Sequence, residues 1–343
     1  MHPVSYPFNK HPADQTWIPI NEDIFWVRLP LPYALDHINV WLIRDGDGWT
    51  LVDTGFSLPE SQAAWEVLLG QLNGPITRII GTHFHPDHIG LAKWLQDKTG
   101  ASLWMTAGEY LTAHCVYQEV AGHGPAAMLK QFEKHGLDES RREALRQRGN
   151  GYKRGVADLP KSYQRIIGHE NITIGKHNWQ VIVGYGHSPE HAALYCPEMG
   201  VLISGDMLLP RISTNISIFA VAPLDDALER YLASLECFVA HCPEETLVLP
   251  SHGLPFYGIR NRVSALQSHH AERLGLLEEN CQVSQTAASL LETLFPRALD
   301  THQLVFAMGE AIAHLNHLEN SGRLIRNISA DGVHRFTVPN TAS

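Results

Sequence analysis

No run in the 343-residue chain approaches the roughly 18 apolar residues that a membrane-spanning helix requires. The first seventeen residues, MHPVSYPFNKHPADQTW, lack both a basic start and an apolar stretch, so no secretory signal is expected. Cysteine is sparse. Cys115, Cys196, Cys237, Cys242 and Cys281 are odd in number and form no C-x-x-C pair, which fits a reduced, cytoplasmic setting. Positive charge is also short, with 26 Lys+Arg against 36 Asp+Glu and a net charge of −10. That balance argues against a protein that holds nucleic acid through bulk electrostatics. Internal repeats and low-complexity tracts are absent. The abundant residue is histidine, which occurs 21 times.

Hydrophobic residues at 44% and charged residues at 18% describe an ordinary globular chain, long enough for about two domains. Residues 24–29 and 38–43 read as strands rich in Ile, Val and Trp, the second running through Asp45-Gly46-Asp47-Gly48 into another strand, a hairpin signal. Ala64, Leu68 and Leu72 recur at intervals of four, so 60–72 reads as a helix. A buried strand at 77–82 leads to a His-rich loop and a helix near 88–98 that Gly100 can end. Further strands are expected at 179–184, 192–196, 201–204 and 246–249, giving a layered α/β plan. Residues 118–170 lack strand signals, hold ten Lys+Arg against seven Asp+Glu, and read as a helical insertion. From 282 on, helices near 284–294 and 302–320 and a hairpin at 323–338 suggest a small winged-helix-like domain, joined by a helix at 259–277. The expected division is 1–260 for the catalytic domain, with 118–170 inserted, and 261–343 for the linker helix and tail.

The segment Thr82-His83-Phe84-His85-Pro86-Asp87-His88 places three imidazoles and a carboxylate directly after a strand. Imidazole and carboxylate together suit Zn²⁺ and tolerate Fe or Mn. His83 and His85, two apart in extended chain, point the same way and can share one ion. Asp87 and His88, after a bend, can face a neighbouring ion. Three more donors, His187, Asp206 and His252, each follow an apolar run that closes in a small residue or proline. Strand ends are where a rigid sheet presents side chains to a cleft.

Taken in order, Asp53-Thr54-Gly55, the 82–90 segment, Gly186-His187-Ser188-Pro189-Glu190-His191, Ser204-Gly205-Asp206 and Ser251-His252-Gly253 resemble the metallo-β-lactamase superfamily over roughly residues 20–260. The resemblance implies an αββα sandwich with a two-metal site along one edge. It implies that His83, His85 and His187 bind the first metal, that Asp87, His88 and His252 bind the second, and that Asp206 bridges them. Asp53 would hold the loop from behind. Two departures stand out. Glu190 occupies a position where many relatives carry glycine, which would narrow or charge the rim, and Asp206 separates the chain from the commonest antibiotic-hydrolysing class. The pattern looks more like the glyoxalase II-type hydrolases, with a tail as in a β-lactamase-like subgroup that includes a ribonuclease.

Two divalent ions lower the pKa of a shared water from 15.7 towards ~7 and polarise the scissile oxygen, while Asp87 can orient that water and carry its proton. The reading is therefore metal-assisted hydrolysis of an ester or thioester in a small molecule. The basic stretch Arg141, Arg142, Arg146, Arg148, Lys153, Arg154, Lys161 and Arg165 would suit an anionic substrate if it covers the cleft; a solvated helix pair is the competing account. Phosphodiester cleavage and a mononuclear iron persulfide dioxygenase are the rivals. Residues 282–343 carry four Arg and five Asp+Glu, against a nucleic-acid-binding wing. The tail suits packing, homodimer formation or walling of the pocket, and no membrane partner is indicated.

Overall fold

Strands buried along most of their length set the architecture of the first unit in a computed structural model that describes residues 4–339. Strands β1 (Trp17–Pro19), β2 (Ile24–Pro30), β3 (His37–Asp45) and β4 (Gly48–Val52) form an antiparallel meander. Asp45 pairs with Gly48, leaving Gly46-Asp47 as a two-residue loop with Gly46 at φ +63°. Helix α1 (Pro59–Gln71) starts on a proline and buries Ala64, Trp65 and Leu68. After β5 (Ile76–Ile80) come the short α2 (Pro86–Ile89) and then α3 (Ala92–Thr99), which Gly100 ends at φ 76°. Strands β6 (Ser102–Met105) and, beyond helix α4 (Ala107–Gln118), β7 (Gln164–Arg165) complete a seven-stranded sheet in sequence order, parallel from β4 onward.

The second sheet runs β12-β11-β10-β9-β8, from β8 (Asn171–Ile174), β9 (His177–Gly184), β10 (His191–Cys196), β11 (Val201–Gly205) and β12 (Leu247–Pro250). Helix α7 (Ala227–His241) lies between β11 and β12 in the chain, and α8 (Ile259–Asn280) follows. Alternate residues of both sheets meet in one core: Trp26, Trp41 and Ile43 from the first, and Trp179, Val181, Leu194, Ile203 and Leu249 from the second. This is a β-sandwich, and its facing apolar rows are why the strands read so clearly in sequence. Among the described residues, no helix is long and apolar enough to cross a membrane.

The chain forms two compact units. One comprises the chain up to Tyr117 with Gly151–Thr214 and Ser234–Val263; the other comprises Gln118–Asn150, Asn215–Ala233 and Ser264 onward. The second holds α5 (Pro125–Lys134), α6 (Glu139–Arg148), α9 (Leu291–Leu294), α10 (Thr301–Asn320) and the hairpin β13 (Ile325–Ile328) with β14 (His334–Thr337). A capping box at Asp300 and Gln303 fixes the start of α10.

Three elements differ from expectation. The helical stretch is shorter than 118–170: its α-helices stop at Arg148, Gly151–Arg154 is a single 3-10 turn, and Gln164–Arg165 joins the first sheet. A two-residue edge strand has no alternation to read. The helix near 284–294 is a 3-10 turn at Ala288–Leu290 leading to one α-turn, stopped where Phe295 precedes Pro296. The helix near 88–98 is broken at Gly90, where a Cβ would lie 2.1 Å from the Gly155 carbonyl.

Candidate metal centre

The end of β5 delivers Thr82 and His83 into the interior, both fully buried. Pro86 then starts α2, so that Asp87 and His88 sit in its single turn. His187, Asp206 and His252 follow the ends of β9, β11 and β12. Gly205 makes the turn before Asp206 at φ +54°, and a Cβ there would lie 2.2 Å from the His191 ring.

The structure brings all seven sequence-derived residues together in two groups. In the first, His83 Nε2 lies 2.9 Å from His85 Nδ1 and 3.2 Å from His187 Nε2. Asp206 Oδ2 is 3.6 Å from His187 Nε2 and 4.0 Å from His83 Nε2. In the second, Asp87 Oδ2 is 3.6 Å from His88 Nε2 and 3.4 Å from His252 Nε2. Asp206 Oδ1 lies 3.6 Å from the same atom of His88 and 3.4 Å from that of His252. The two oxygens of Asp206 therefore face different groups.

The outer hydrogen bonds set which ring nitrogens point inward. Asp53 sits at φ 62°, a left-handed conformation that aspartate tolerates better than most residues. Its carboxylate accepts the Thr82 amide at 2.8 Å, the Thr82 hydroxyl at 2.9 Å and His88 Nδ1–H at 2.7 Å. His252 Nδ1–H donates to the His37 carbonyl at 2.8 Å, and His83 Nδ1 meets the Thr82 hydroxyl at 3.0 Å. These contacts assign the inward tautomers, as partner carboxylates and carbonyls do for metal-ligating histidines generally. His88 Nε2 and Asp206 Oδ1 are buried without any hydrogen-bond partner, although they face each other. Buried polar atoms are rarely left so, and a cation between them would satisfy both. The donor set fits a pair of divalent ions.

The local electrostatics agree. Burial, reinforced by the neighbouring imidazoles, holds His83 well below the usual histidine range, and burial takes His85 down to about 3. Burial opposes charge on His88 as well, but Asp53, Asp87 and Asp206 prevail and raise it well above its ordinary value. His252 is raised to about 10 against burial, through Asp206 and Asp87. Against burial, His88 and His252 take Asp87 down to about 2, and the same imidazoles hold Asp206 well below the carboxylate range. Without an ion, His88 and His252 therefore hold protons where His83 and His85 do not.

Other residues noted in the sequence are held by contacts of their own. The Glu190 carboxylate turns back to accept the Gly108 amide at 2.7 Å. His191 is buried beneath the bridging position, its Nε2 accepting the Asp206 amide at 3.1 Å. In the second unit, Arg141, Arg142 and Arg146 pair with acidic residues of their own helical segment, and Arg148 meets His302. Exposed Arg165 instead opens onto a groove of about 590 Å³ in the first unit, shared with His169, Tyr185, Glu190 and His241.

Several supporting residues were not found from sequence. The His37 ring accepts the Gly253 amide at 2.9 Å. Asn39 donates to the carbonyls of Pro250 and Gly253 at 2.8 and 2.9 Å, which braces the His252 loop. Glu109 accepts bonds from the loops of His83 and His187, and burial raises its carboxyl to about 7. No motif marks these three, since their partners lie far off in the chain.

A β-sandwich with seven His and Asp donors gathered at its strand ends defines a metallo-hydrolase of the metallo-β-lactamase fold. The chain belongs to the metallo-β-lactamase superfamily, whose sequence profile matches residues 33–252, and residues 274–339 match the metallo-β-lactamase-like C-terminal domain. A solved β-lactamase domain protein from Burkholderia ambifaria is 40% identical, with a TM-score of 0.91 and 98% of each chain covered. The probable metallo-hydrolase YqjP of Bacillus subtilis (strain 168) is 24% identical over 307 residues, 87% of this chain and 92% of that one. A hydroxyacylglutathione hydrolase of Albidiferax ferrireducens is 25% identical over 224 residues, 65% of each.

Proposed function

We propose that this protein hydrolyses an ester or thioester bond in a small, anionic substrate, using two divalent ions held by the residues above. The carrying observation is the placement of Asp206, with one oxygen towards His83 and His187 and the other towards His88 and His252. In this reading His83, His85 and His187 hold one ion, Asp87, His88 and His252 hold the other, and Asp206 joins them. The donor chemistry favours Zn²⁺ and admits Fe or Mn. Such a pair supplies an activated water near neutral pH and a Lewis acid for the scissile oxygen.

The chain's own residues do the rest. Asp53 and the His37 carbonyl fix the rings of His88 and His252, so little reorganisation is needed on binding. Asp87 is partly exposed, as a group that meets both solvent and substrate must be. It is held ionised and can orient the attacking water, accept its proton and pass that proton to the leaving group. Likeness to a relative named for hydrolysis of an acylglutathione, a thioester, supports the bond type.

Initial rates would be measured with Zn- and Mn-loaded protein on acyl-coenzyme A and glutathione thioesters, simple esters, lactones and single-stranded RNA. Asp87→Ala protein runs alongside. Thioester or ester turnover that falls ~10²–10⁴-fold in the variant is the expected result, the usual scale for a general acid–base group. Cleavage of RNA alone, or carbonyl turnover undiminished in the variant, would overturn the reading.

A further inference from the structure

Helix α4 begins where two loops of the three-histidine group pass. Glu109, in its first turn, is fully buried, and no ion pair to it occurs among the described residues. Its carboxylate serves segments about a hundred residues apart. Oε2 accepts the amide of Phe84, the residue between His83 and His85, at 2.9 Å. Oε1 accepts the Ser188 hydroxyl at 2.6 Å and the Glu190 amide at 2.7 Å, immediately after His187. The contact is reciprocal. The Glu190 carboxylate accepts the Gly108 amide at 2.7 Å, and its carbonyl accepts the Thr106 hydroxyl at 2.8 Å. The helix start comes this close because residue 108 has no side chain: a Cβ there would lie 2.9 Å from the Glu190 carboxyl carbon.

Burying a carboxylate without a cation is costly, and here three donors offset that cost. All three donors need acceptors, which the carboxylate supplies once ionised, above about pH 7, and an amide cannot, since its NH₂ would face one of them. We propose that Glu109 is a positioning residue that sets the spacing of His83 and His85 against His187, so that their ring nitrogens converge before an ion arrives. This rests on the reading of those imidazoles as metal ligands. Helix α4 thus acts as a staple between the two loops, and Glu190 is its second prong.

The test uses the full chain as Glu109→Gln and Ser188→Ala, with Ile174→Ala as a destabilised control whose buried side chain lies in the sandwich core. Zn²⁺ affinity is read by chelator competition, ion count by metal analysis, and ligand geometry by the visible spectrum of Co²⁺-loaded protein. Glu109→Gln is expected to weaken one of two ions ~10–100-fold, the range typical of outer partners of metal ligands, and to alter the Co²⁺ spectrum. Ser188→Ala shifts the same affinity in the same direction by less. Ile174→Ala melts lower with both affinities unchanged. Glu109→Gln and Ser188→Ala proteins that keep two ions at wild-type affinity with an unaltered spectrum would overturn the proposal, whatever their melting temperatures. If Glu109→Gln does not fold, unchanged affinity in Ser188→Ala overturns it alone. A wild-type protein that binds no ion removes the metal reading itself, and this inference with it.

Discussion

Asp206→Ala is expected to lose the two-ion centre and its turnover together, the largest functional effect of any single change at this site. Asp206 approaches both groups, with one oxygen facing each. Its removal leaves His88 and His252 with one fewer carboxylate to offset burial, so their raised proton affinity drops. It would also remove the carboxylate that stands between the two donor groups. Metal analysis after desalting should fall from about two ions per chain to below one. Loss of several kcal/mol of transition-state stabilisation corresponds to about 10³-fold or more in rate. Both ions retained at full turnover would sink the bridging assignment. Stability should change too. A carboxyl held below its unfolded value contributes stability above that value, lost as pH falls through the folded one, so the ion-free variant should be less stable than wild type at pH 7.

The largest effect on stability is expected from Trp26→Ala. Trp26 is fully buried, stacks on Trp41 with ring centroids 6.1 Å apart, and donates Nε1–H to Asn39 Oδ1 at 2.8 Å. A large-to-small change in such a core costs about 3–5 kcal/mol, as transfer free energy plus the cavity left behind. The loss does not stop at the core. Asn39 keeps its bonds to Pro250 and Gly253 but loses the shorter of two donors to its Oδ1, the Arg28 Nε–H at 3.4 Å remaining, so the His252 loop should loosen. Denaturant unfolding should show the full destabilisation, whereas Trp26→Phe, which keeps a ring but not the hydrogen bond, should lose about 1–3 kcal/mol. A Trp26→Ala protein within 1 kcal/mol of wild type, on the scale where surface changes fall, would show that the core does not depend on this side chain.

The site was legible because its donors are local in sequence and stand at strand ends. His83, His85, Asp87 and His88 fall within six residues, and His187, Asp206 and His252 each close an apolar run. The central strands were legible for a related reason, as they bury one residue in two against a facing sheet. What escaped was non-local or too short for a period. Glu109 lies in a helix whose sequence carries no metal motif, and its meaning comes from two loops meeting there. His37 acts on the second group partly through its backbone carbonyl, which no side-chain pattern reveals. Strands β1, β6, β7 and β8 have two to four residues each, too few to show alternation. Glu190 was visible as a departure, but its effect depended on which way a flexible side chain turned, and it turned to a helix start.

The most direct test of the two-ion centre is a calorimetric titration of metal-free protein with Zn²⁺, repeated in buffers of different ionisation enthalpy. The ion-free second group holds protons on His88 and His252, raised above the ordinary histidine value, while His83 and His85 are held neutral. A ligand nitrogen must give up its proton, so binding at pH 7 should release about two protons from these rings and tighten as pH rises. The expected result is a stoichiometry near two, with proton release tied to the ion that Asp87, His88 and His252 hold. A stoichiometry of one without proton release would contradict the two-ion account and leave only the three-histidine group as a site.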